Sequence, residues 1–92
     1  MTPLVTIEAL RDRLRIDEEV SSPDLQRIAE EATAIVIDFL KRPDHGWTVE
    51  TVPAQVRTAI FMVAQAIDIG EPEPLSRGVK DLLRRMRDPA CA

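Results

Sequence analysis

Ninety-two residues suffice for one domain and are too few for two. Hydrophobic residues make up 45% of the chain but aromatics only 3%, with no tyrosine, so small and branched aliphatics must fill any core. A formal net charge of −4 argues against a general nucleic-acid binder, whose domain is usually basic, and the single cysteine, Cys91, excludes an internal disulfide.

The pattern predicts four helices. Thr6 is a good N-cap for a short first helix that sets Ile7, Leu10 and Leu14 on one face and ends near Arg15. Acids and serines follow, and Ser22-Pro23 opens the second helix with a capping serine and proline in the first turn, where a missing N–H matters least. Asp24 there complements the helix dipole. The second helix is amphipathic, with Leu25, Ile28, Ala32, Ile35, Val36, Phe39 and Leu40 facing inward; Ile37 falls on the polar side. Asp38 and Arg42 stand four apart as a helical ion pair, Lys41 and Arg42 suit the C-terminal dipole, and Pro43 stops the helix.

Residues 43–52 form a connection longer than is usual between helices. Nothing in the chain is a convincing strand, although Trp47 to Val49 could pair briefly. Val52-Pro53 restarts a helix that runs to Ile69 and ends at Gly70, and the EPEP segment after it is extended and stiff. The last helix spans about Ser76 to Arg87 with a narrow seam of Val79, Leu82, Leu83 and Met86. The reading is an all-α bundle: a short N-terminal helix, two long antiparallel helices and a C-terminal helix on a Pro-rich hinge. Residues 1–74 are its core and residues 75–92 a basic docking helix and tail. The charge follows that division: seven Lys/Arg against fourteen Asp/Glu before residue 75 (net −7), and five against two after it (net +3). No basic segment leads into an apolar stretch at the start, and no apolar run nears the ~18 residues of a membrane span. A soluble protein of a reducing cytoplasm is expected.

Chemistry has little to work with. His45 is the sole histidine, in a loop without a Cys, Ser or second His at a useful spacing, and one His among scattered acids is a weak metal site. The glycines Gly46, Gly70 and Gly78 are isolated and make no phosphate cradle. No catalytic, cofactor-binding or metal residue is expected, and the protein is not read as an enzyme.

The third helix carries more apolar surface than a single stripe requires. Val56, Ile60, Val63 and Ile67 make the core stripe, and Ala59, Met62, Ala66 and Ile69 widen the sector past half the circumference. Phe61 falls in a polar strip with Arg57, Thr58, Gln65 and Asp68, so it reads as exposed. Phe61, Met62, Ala66 and Ile69 are therefore the candidate subunit interface. Trp47 is either a lid on the core or a partner contact. Lys80, Arg84 and Arg87, at i, i+4 and i+7, form a basic stripe that suits an acidic partner or DNA phosphates.

The order of parts resembles the small head–tail connector (adaptor) proteins of long-tailed bacteriophages and prophages. The resemblance spans nearly the whole chain. It rests on VT-x-E-x-L-x-x-x-LRID from Val5 to Asp17, the alanine-containing second helix, VP-x-x-V-x-x-AI from Val52 to Ile60, and GV-x-x-LL-x-x-x-R from Gly78 to Arg87. Many relatives carry aromatics just after the third helix, where this chain has DIGEPEP. The resemblance implies a homo-oligomeric ring, a dodecamer, seated under the portal protein at the head–tail junction of the virion and assembled in the host cytoplasm. Such a ring extends the DNA channel without sequence-specific binding and presents a platform to a head-completion, stopper or tail protein. It also implies that Val79, Lys80, Leu82, Leu83, Arg84 and Arg87 dock on the portal. The alternatives are a small helical DNA-binding regulator that reads with the last helix, and a generic helical interaction module of the antitoxin kind.

Overall fold

Three of the helix ends are closed by residues that satisfy orphan backbone groups: the starts of the first and last helices and the end of the third. The computed structural model describes residues 3–14, 22–41 and 46–84. Within them lie α1 (Ile7–Leu14), α2 (Ser22–Leu40), α3 (Ala54–Ile69) and α4 (Arg77–Leu83), with no strand. The all-α bundle expected from the pattern is the fold observed. The expected Arg42 partner of Asp38, the Pro43 stop, His45, Met86, Arg87 and Cys91 lie outside the described residues.

Thr6 caps α1 by accepting the Ala9 N–H at 3.1 Å. Ser76 does the same for α4, its hydroxyl accepting the Val79 N–H at 3.3 Å. Gly70 closes α3 with φ of 82°. The Gly70 N–H donates to the Ile67 carbonyl and the Glu71 N–H to the Ala66 carbonyl, the paired bonds of a Schellman motif. Trp47 to Val49 are coil and turn. The turn is tied by Thr48 and Thr51, each hydroxyl accepting the other residue's backbone N–H, at 2.8 and 3.3 Å.

α3 is the central element, packed most extensively on α2 and also against α1 and α4. One continuous core contains Leu10 of α1, Leu25, Val36 and Leu40 of α2, Val56, Ile60 and Val63 of α3, and Val79 and Leu83 of α4. Leu4 and Val5, ahead of α1, are buried in it too. The Leu4 N–H donates to the hydroxyl of Thr33, a fully buried residue on α2, at 3.3 Å. That strap accounts for Ile37, expected on the polar side but only 2% exposed. Ile37 stands one turn beyond Thr33, so the buried face of α2 is turned toward the strap, and Ile35 and Phe39 are left half-buried.

Candidate functional site: an exposed apolar stripe on α3

On α3 most of the apolar excess is used inside the chain. Ala59 is fully buried, and Phe61, expected at the surface, is 6% exposed. Phe61 sits in the half of α3 that α1 and the strap cover: it lines a hollow with Leu4, Val5, Thr6 and Ala9. The Arg13 guanidinium carbon lies over its ring, 5.3 Å from the centroid. Phe61 is therefore a core residue of the monomer and not part of an exposed interface. A wheel drawn for α3 alone has no means of showing a second helix arriving over the polar strip.

Met62 and Ile69 are left outside, with Ala66 half-buried between them. They fall at i, i+4 and i+7, one stripe of α3. Met62 is 40% and Ile69 64% exposed, the two large hydrophobic side chains that stand out at the surface among the described residues. The stripe forms one wall of a shallow groove of about 210 Å³, which Glu71, Glu73, Pro74 and Ser76 complete from the connection to α4. The Schellman turn at Gly70 produces this arrangement by folding the Glu71–Ser76 segment back beside the end of α3.

The α4 residues divide in two. Val79 and Leu83, expected to dock on a partner, are 1% and 0% exposed because they anchor α4 to the core. With only seven residues, α4 has one buried edge to hold it, and these two side chains supply it. Lys80 and Arg84 are exposed and Leu82 is half-buried. Arg84 is paired with Asp81 at 3.0 Å. Trp47 is partly buried against the core, in keeping with a lid over its edge.

Among the described residues no group of three or more His, Cys, Asp or Glu side chains could hold a metal ion, and no helix is long and apolar enough to cross a membrane. What the arrangement offers is a surface: an apolar stripe beside two carboxylates, next to a basic helix edge. Compared with protein families, with curated proteins and with solved structures, the chain finds no match.

Proposed function

We propose that this protein is a virion structural protein, a head–tail connector subunit that assembles into a ring on the portal and extends the DNA channel for head completion and tail attachment. The observation that carries the reading is the Met62–Ala66–Ile69 stripe, whose Met62 and Ile69 are the large hydrophobic side chains that stand exposed among the described residues. It is supported by the order of the LRID, VP-x-x-V-x-x-AI and GV-x-x-LL-x-x-x-R segments along the chain. Ring closure needs a heterologous contact, in which one face of a subunit meets a different face of the next, and the stripe is one such face. With Val79 and Leu83 committed to the core, portal contact falls to Leu82, Arg84 and Arg87 of the expected docking set, while Lys80 is exposed beside Arg77. A DNA-reading α4 is the weaker reading, because the chain as a whole is acidic, with a formal net charge of −4.

Electron microscopy of the purified protein mixed with the portal protein of the same phage or prophage tests this reading. Rings seated on the portal are expected, together with concentration-dependent oligomers of the protein alone. A protein that is monomeric at every concentration and leaves the portal bare would end it.

A further inference from the structure

The groove beside Met62, Ala66 and Ile69 has a one-sided charge. Glu71 and Glu73 line it and no basic side chain does. Neither carboxylate takes part in an ion pair among the described residues. A short distance along the chain, Arg77, Lys80 and Arg84 recur at i, i+3 and i+7 and so share one exposed edge of α4, away from the buried Val79 and Leu83. Arg84 is engaged by Asp81. Arg77 and Lys80 have no partner among the described residues.

We infer that the groove of one copy receives the Arg77–Lys80 edge of α4 from a second copy. The two ammonium and guanidinium heads would meet Glu71 and Glu73, while their aliphatic stems lie over Met62 and Ile69, covering apolar surface that a carboxylate could not. Groove against groove is disfavoured, since it sets four carboxylates face to face. This inference rests on the connector reading for the existence of an assembly, and adds which two surfaces meet in it. A three-residue stripe is far smaller than the ~800 Å² per partner of a standard interface. The contact is accordingly weak between free subunits and sensitive to salt.

A charge swap tests the pairing by sedimentation of the full chain across a concentration series at low ionic strength. One variant carries Glu71→Lys with Glu73→Lys, the other Arg77→Glu with Lys80→Glu. All four side chains are exposed, and the Glu71 bond that closes α3 is made by its backbone, so unchanged circular dichroism is expected. Each variant alone should self-associate about tenfold or more weakly than the unaltered protein, and an equimolar mixture should recover association, because the reversed edge then meets the reversed rim. Variants that associate as the unaltered protein does, or a mixture that stays dissociated, would overturn the pairing while assembly itself stands. An unaltered protein that never associates, even on the portal, would overturn the pairing and the connector reading together.

Discussion

Arg13 roofs Phe61: the guanidinium carbon of the α1 residue stands 5.3 Å from the centroid of the α3 ring, over a side chain that is buried in the core and lines a hollow with Leu4, Val5 and Ala9. The attraction of a cation for the ring face contributes about 0.5–1 kcal/mol at an exposed site. Burial of the ring contributes several times more. Phe61→Ala should therefore destabilise the monomer by about 3–4 kcal/mol, and Arg13→Ala by about 1 kcal/mol or less. Urea denaturation of the two variants measures the difference. A Phe61→Ala loss no larger than that of Arg13→Ala would show that the ring is not a core residue.

Thr33 is a fully buried polar side chain, and its hydroxyl accepts the N–H of Leu4 across 29 positions of sequence. Thr33→Val keeps the shape and removes the acceptor, leaving a buried donor unsatisfied at about 1–3 kcal/mol. Thr33→Ser should retain most of the stability. Amide hydrogen exchange at Leu4 should quicken in the valine variant and much less in the serine variant. Equal exchange in both would mean that the strap is held by apolar packing alone.

Elements whose signals are local were legible in the sequence. Thr6, Ser76 and Gly70 mark helix ends through bonds made within four or five residues, so their meaning does not depend on the rest of the fold. Faces covered from a distance were not legible. Phe61 and Ile37 lie on sides of α3 and α2 that look polar until α1 and the Leu4–Val5 strap arrive. One signal for the strap was present: Ala29, Thr33 and Ile37 are spaced i, i+4, i+8, a second stripe interrupted only by a residue able to accept a backbone N–H. The Met62–Ile69 stripe was foreseeable, because the apolar sector of α3 is wider than the core stripe of Val56, Ile60 and Val63 requires. The fate of α4 was not, since a seam of four apolar residues serves equally for the chain's own core and for a partner.

Two helix ends test left-handed geometry with opposite signs. Gly70 closes α3 at φ of 82°, and Lys41, just after α2, sits at φ of 58°. A side chain in this region costs about 1–2 kcal/mol, whereas a glycine costs about 0.5–1 kcal/mol through the freedom it adds to the unfolded chain. Gly70→Ala should lower stability by about 1 kcal/mol, and Lys41→Gly should raise it by about 0.5 kcal/mol. Thermal melts that move in the same direction for both would contradict this account of the two turns.

Met62→Asp and Ile69→Asp separate folding from assembly. Ile69 is mostly exposed and Met62 partly so, so the monomer loses far less apolar burial than when a core residue changes. Ile69 is the last residue of α3, where a carboxylate opposes the helix dipole, at about 0.3–1 kcal/mol. Met62 lies two turns earlier and escapes that penalty. Urea midpoints should thus shift only modestly for both, Met62→Asp giving up some packing and helix propensity in place of the dipole penalty, while on the proposed ring both variants should lose self-association and assembly on the portal. Phe61→Ala supplies the converse, a weakened monomer whose outer stripe is intact. Should Met62→Asp assemble as well as the unaltered protein, the stripe would be ordinary scattered surface, and the subunit contact would have to be sought elsewhere on the molecule.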